Sequence, residues 1–162
     1  MTVASSLLAA SLLTAAQNPA PATLGLEQGT LDFDTPDFRL KLVTASQTVA
    51  ALEPKGANGF DFTPADHLGS RAGDRFNSLG DLTLRVRNGN SSVWQDYSTS
   101  AARRPVEPLA VKAPVLAAAN LAPTLPADCP LEITRSWLVD RERLMLRFDV
   151  KNKTSEPVQI GA

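Results

Sequence analysis

The feature that most constrains this chain is the alternation running through its last thirty residues. Leu131, Ile133, Trp137 and Val139 alternate with Glu132, Thr134 and Ser136. Side chains of a strand point to opposite faces in turn, so a period of two specifies one apolar and one wet face. The polar stretch Asp140-Arg141-Glu142-Arg143 reads as a turn. Beyond it Leu144, Leu146, Phe148 and Val150 alternate with Met145, Arg147, Asp149 and Lys151, a second strand of the same kind. A further polar turn, Asn152 to Glu156, leads into a third strand over Pro157-Val158-Gln159-Ile160. The expectation is a sheet that continues past Ala162 in a larger protein, with an unpaired edge at this strand.

The same period recurs earlier. Leu31 and Phe33 alternate with Asp32 and Asp34, and Phe38, Leu40 and Leu42 alternate with Arg39 and Lys41. Thr35-Pro36-Asp37 between them is a turn in which proline pre-sets φ. Gln47 to Leu52 reads as the next strand, closed by Glu53-Pro54-Lys55-Gly56. Gly56 to Gly80 is a long loop with Phe60, Phe62 and Phe76 as apolar anchors. Asp81 to Arg87 places Leu82, Leu84 and Val86 on one face of a central strand. Asn88-Gly89 then predicts a tight type I′ hairpin, because both residues tolerate positive φ, with a return through Val93 to Tyr97. From Ser98 to Pro130, prolines at 105, 108, 114, 123 and 126 and many alanines predict an extended crossing segment, with one helical turn at Ala117 to Leu121. No stretch sustains an apolar pattern at helical spacing. The predicted fold is all-β: an antiparallel β-sandwich, incomplete at its C-terminus, carrying a long 56–80 loop.

Sixteen basic residues balance 17 acidic ones. That leaves no basic face to displace counterions from nucleic acid and no polybasic patch for a membrane surface. Met1 to Ala20 carries no charged side chain, and Val3 to Ala16 is an apolar run ending in Thr14-Ala15-Ala16. It is shorter than the ~20 residues a bilayer span requires and fits the apolar region and small-residue cleavage site of a secretory signal. The predicted organisation is a signal peptide over 1–16 cleaved after Ala16, a Pro/Ala-rich linker over 17–25, and the β domain over 26–162, secreted and membrane-free once the signal is removed. Cys129 is the single cysteine, so the domain has no disulfide framework of its own. Its thiol either pairs elsewhere in a longer chain or stays free and partly buried.

Groups that could carry chemistry are sparse. Asn90-Ser91-Ser92 and Asn152-Lys153-Thr154 match the acceptor triplet for N-glycosylation, and both fall in predicted turns. Asp61, Asp66, His67, Arg71 and Asp74 crowd the 56–80 loop. They are either a polar lip over a sugar, with His67 moving protons near neutral pH, or solvated groups that cap turns. No second imidazole or thiolate stands at ligand spacing from His67, so neither metal nor cofactor is expected. Asp32, Asp34 and Asp37 are close in sequence, and paired carboxylates are what a glycosidase uses. Asp32 and Asp34, however, share the wet face of a strand, and a solvated face accounts for them. Trp137 fits the apolar face of its strand, which leaves Trp94 and Tyr97 as rings able to stack on sugars. The substrate-contact candidates are therefore Trp94, Tyr97, Asp66 and His67, and no catalytic residue is assigned.

Three segments, LDFDTPDFRLKLV with SQTVAALEPKG (31–43, 46–56), FDFTPADHLGSRAGDRFNSLGDLTLRVR (60–87) and LEITRSWLVDRERLMLRFDVKNKTSEPVQIGA (131–162), carry a resemblance. They resemble the N-terminal region of large secreted fungal proteins, a family of unknown function described as similar to six-hairpin glycosidases. The resemblance implies a β-supersandwich, like that of galactose-mutarotase-like domains, placed before an (α/α)-toroid that carries the active site. Because the acid and base would lie in that toroid, it transfers no catalytic residue to this chain. It implies a non-catalytic module of a secreted, glycoside-hydrolase-like protein, with carbohydrate and the toroid as partners. The residues alone leave open a stand-alone carbohydrate-binding or cell-wall protein, or a truncated fragment without independent function.

Overall fold

The computed structural model describes residues 26–56, 58–63, 77–89, 91–102 and 104–161. Within them the chain is all-β, with three antiparallel sheets, short 3-10 turns at Leu26–Gln28 and Ala122–Thr124, and neither an α-helix nor a closed barrel. The first sheet is a meander of β1 (Thr30–Asp34), β2 (Phe38–Val43) and β3 (Val49–Pro54). The second runs in the order β10 (Val158–Gly161), β4 (Thr83–Asn88), β5 (Gln95–Ser98). The third contains β6 (Glu107–Leu109), β7 (Val115–Asn120), β8 (Leu131–Asp140) and β9 (Arg143–Asn152).

β8 and β9, ten residues each and paired along their whole length, form the spine. Odd-numbered residues of β8 and even-numbered residues of β9 share one face, as the alternation requires. Along half of that face Leu131, Ile133 and Phe148 pack with Val86, Tyr97 and Leu121. Along the other half Trp137, Val139, Leu144 and Leu146 pack with Phe38, Leu40, Leu42 and Val49. The first and second sheets thus lie side by side on a single face of the third, a two-layer sandwich with two core clusters. Leu40, Leu42 and Ile133 are fully buried, each contributing ~1.5–3 kcal/mol. Between the clusters, on the same face, stands Arg135.

Two expectations are corrected. Ala117 to Asn120 belong to β7 rather than to a helical turn. Ala117 lies opposite Trp137 and Ala119 opposite Arg135, so their small side chains make room for the two largest residues of β8. Pairing and burial here outweigh alanine's preference for helix. Asn88-Gly89 makes no two-residue hairpin: Asn88 stays in β4 opposite Val158, and β5 starts only at Gln95. β4 runs on beyond β5 because its far end pairs with β10. The type I′ signature occurs instead between β8 and β9, where Arg141 and Glu142 have φ of 47° and 67°. β10 pairs with β4 and, as expected for this strand, stands at a sheet edge among the described residues, that of the second sheet. Ala16 with its signal segment and the 17–25 linker lie outside the described residues.

Candidate functional site

The pairing of β4 with β5 and β10 sorts their side chains. Leu84 and Val86 face the core opposite Tyr97 and Gln95, which turns Thr83, Arg85 and Arg87 outward. Arg85 Nε donates to Asp96 Oδ1 at 3.1 Å, and Thr83 lies opposite Ser98. Arg87 donates through Nη2 to Gln159 Oε1 of β10, while its guanidinium carbon sits 4.8 Å from the centre of the Trp94 ring. Trp94 is half-buried. Its ring rests on Gly161, where a Cβ would come within 3.0 Å of Cζ3. Any side chain at 161 would lift the indole. The result is a flat row of two arginines, a carboxylate and an amide with an indole at one end. Guanidinium and carboxylate groups can each engage two partners at once, and an indole offers an apolar ring with a polar N–H.

The other expected contact residues are placed differently. Tyr97 is 3% exposed, inside the cluster of Val86, Leu131 and Ile133, and donates its hydroxyl to Gln95 Oε1 at 2.8 Å. Burial raises the phenol's pKa, with Asp128 and Cys129 adding to the effect. Its ring faces are core, which corrects its reading as a stacking surface. Asp66, His67, Arg71, Asp74 and Asn90 lie outside the described residues. Asp61 accepts from the backbone N–H of Leu52 at 3.0 Å and of Thr63 at 2.8 Å, tying the loop to β3 as a turn cap. Asn152 is exposed at the end of β9, its Oδ1 accepting from the backbone and hydroxyl of Thr154 at 2.9 and 2.8 Å. Asp34 is exposed and ion-paired with Lys55 at 2.7 Å, and that hydrogen bond, aided by Arg39, holds its carboxyl below the usual range. Asp32 accepts from the Thr30 hydroxyl at 2.8 Å. Both belong to a solvated strand face. Cys129 is a buried free thiol.

A second cluster forms where the three sheets meet. Arg135 is 1% exposed; its Nη1 donates to Gly80 O at 2.5 Å and its Nη2 to Ser46 O. Next along β8, Trp137 Nε1 donates to Gln47 O at 2.8 Å. Two side chains of the third sheet thereby hold the turn after β2 and the entry to β4. Burial lowers the arginine's pKa to about 10, an effect that Asp81 opposes, so the group stays charged at neutral pH. Asp81 Oδ2 accepts from Ser78 N at 2.8 Å, and Oδ1 from the Thr99 hydroxyl at 2.9 Å. Arg135, Asp81, Ser46, Thr99 and Arg104 are among the residues around a pocket of about 90 Å³. The signal for Arg135 is visible in the sequence as a charge at an odd position of an otherwise apolar face. The contact of Arg87 with Trp94 continues the β4–β5 register beyond Val86 and Gln95, whereas the seat of Trp94 on Gly161 has no such signal, because it depends on β10 reaching β4. Among the described residues no three His, Cys, Asp or Glu side chains converge as metal ligands.

A family model described as a family of unknown function (DUF5695) matches residues 41–162, from within β2 through β10. No curated protein and no solved structure matches the chain.

Proposed function

For a chain that belongs to the family of unknown function DUF5695, we propose the role of a non-catalytic β-sandwich module in a secreted, glycoside-hydrolase-like protein, binding carbohydrate on the outer face of β10, β4 and β5. The observation that carries this reading is Trp94, seated on Gly161 beside Arg87 at the end of the row formed by Arg85, Asp96 and Gln159. A pyranose ring has an apolar C–H face that suits the exposed part of an indole and hydroxyls that suit planar polar groups. Catalysis belongs to a helical toroid in the same protein, as the resemblance to six-hairpin glycosidases implies. The module adds a sugar contact beside it.

Affinity electrophoresis of the purified chain in gels holding soluble polysaccharides tests the proposal, with reducing-sugar release measured in parallel. At least one polysaccharide retards the chain, and Trp94→Ala weakens that binding about tenfold, the ~1.4 kcal/mol of one lost ring contact. No sugar is released. Retardation by no polysaccharide, retardation unchanged in Trp94→Ala, or hydrolysis by the chain alone would each overturn it.

A further inference from the structure

The edge of the third sheet formed by β9 has no part in the proposal above. Among the described residues β9 pairs only with β8, which leaves its other side bare over ten residues with no bulge. Ordinary strands run about 5–6 residues, and exposed edges are usually kept short, bulged or interrupted by proline and inward charges. Leu144, Leu146 and Phe148 face the core yet stay half-buried, and Val150 on the same face is 42% exposed. We propose that this edge pairs with the same edge of a second copy of the chain, antiparallel, about a two-fold axis at Phe148.

The backbone is arranged for such a pairing. Lys153 N donates to Pro130 O at 2.8 Å, one position beyond the register of β8 with β9. Antiparallel partners alternate between hydrogen-bonded and non-bonded pairs. The odd-numbered residues of β9 therefore spend their N–H and C=O groups on β8, and those of Leu144, Leu146, Phe148 and Val150 point to the open side. With Phe148 opposite Phe148 of the second copy, Leu146 lies opposite Val150, and each of these pairs can exchange both backbone hydrogen bonds. Leu146, Phe148 and Val150 of the two copies then cover one another along the inner face.

The charges select this register. Arg147 and Asp149 stand on the outer face, both exposed, and within one chain Arg147 Nε donates to Asp149 Oδ2 at 3.0 Å. A centre at Phe148 sets Arg147 opposite Asp149 of the second copy, once on each side of the axis. These fall at non-bonded pairs, where side chains come closest. A centre at Leu146 would set Val150 against Glu142 of the turn, and one at Val150 would set Arg147 against Lys153. With the centre at Phe148, like charges meet only where Arg143 faces Lys153 at the ends of the pairing. At the far side of the sheet β6 has only three residues. One long edge per chain, used isologously, gives a closed dimer rather than a filament.

Sedimentation equilibrium of the whole chain over a concentration series tests the proposal, with near-UV circular dichroism to check that each variant is folded. The wild type shows a monomer–dimer equilibrium and no larger species. Arg147→Asp and Asp149→Arg each set like charges opposite one another on both sides of the axis and raise the dimer Kd about tenfold. The double variant Arg147→Asp/Asp149→Arg restores opposite charges and recovers the wild-type Kd. In either shifted register the same double change sets a cation at 149 against Arg143 or Lys151, and gives no recovery. A chain monomeric at every concentration would leave the edge to a strand of a different partner. That result, open-ended association, single variants without effect, or no recovery in the double variant would each overturn the proposal.

Discussion

Replacing Gly80 by alanine strikes the point where the sheets are fastened together. Gly80 has φ of 108°, a region that side chains rarely enter, at a cost of ~1–3 kcal/mol. The new methyl would stand 2.9 Å from Trp137 Cζ2 and 3.4 Å from both Arg135 Nη1 and Thr48 Cα. Trp137 has little freedom to yield, since it is 2% exposed and its Nε1 is bonded to Gln47 O. Overpacking of this kind costs ~1–3 kcal/mol more. The expected loss is about 4 kcal/mol, read from urea unfolding followed by tryptophan fluorescence with an unchanged m-value. Gly89→Ala is the control. Gly89 also has positive φ, 49°, but only Glu156 Oε2 at 3.9 Å lies near its added methyl, so backbone strain of ~1–2 kcal/mol is the whole cost. If Gly80→Ala cost no more than Gly89→Ala, the indole would be free to shift and the close packing at the seam would be refuted.

Two further outcomes are expected. Tyr97 has a folded-state pKa raised above 10 by burial, so the folded chain keeps this proton longer than the unfolded one. Its contribution to stability is full below pH 10 and is lost as the pH rises above 10 toward the raised folded value. Urea midpoints at pH 8 and pH 11 should fall further apart in the wild type than in Tyr97→Phe, which loses only the bond to Gln95, ~1 kcal/mol, at both; equal falls would refute the assignment. Cys129 is 2% exposed, with its thiol toward Leu131 O at 3.8 Å. A chromogenic disulfide reagent should therefore leave it untouched in the native chain and titrate one thiol in urea, and fast native labelling would contradict its burial.

Much of the architecture could be read before any coordinates, because it rests on local alternation. The β1–β2 and β8–β9 hairpins, the inward Phe38, Leu40 and Leu42, and the core position of Trp137 all follow from a period of two in the residues themselves. What stayed hidden depends on partners distant in sequence. β7 is an alanine run whose strand state comes from Trp137 and Arg135 opposite it. The end of β4 looked like a hairpin turn because nothing local announces that β10 pairs with Asn88. Tyr97 reads from sequence as a surface ring because a four-residue strand gives too little pattern to assign its faces. At the site, Trp94 was legible as an aromatic in a polar stretch, whereas its bed on Gly161 was not.

The place of β10 governs the order in which this chain can assemble. The β1–β2–β3 meander is built from neighbours and can pair as soon as its residues are available. The bond from Arg87 to Gln159 closes a separation of 72 residues, and those from Arg135 and Trp137 to the turn after β2 span 89 and 90. Such long closures forfeit chain entropy before they gain contacts, which slows folding. The second sheet is accordingly the late half of the molecule: until β10 arrives, β4 has β5 on one side and a bare edge on the other.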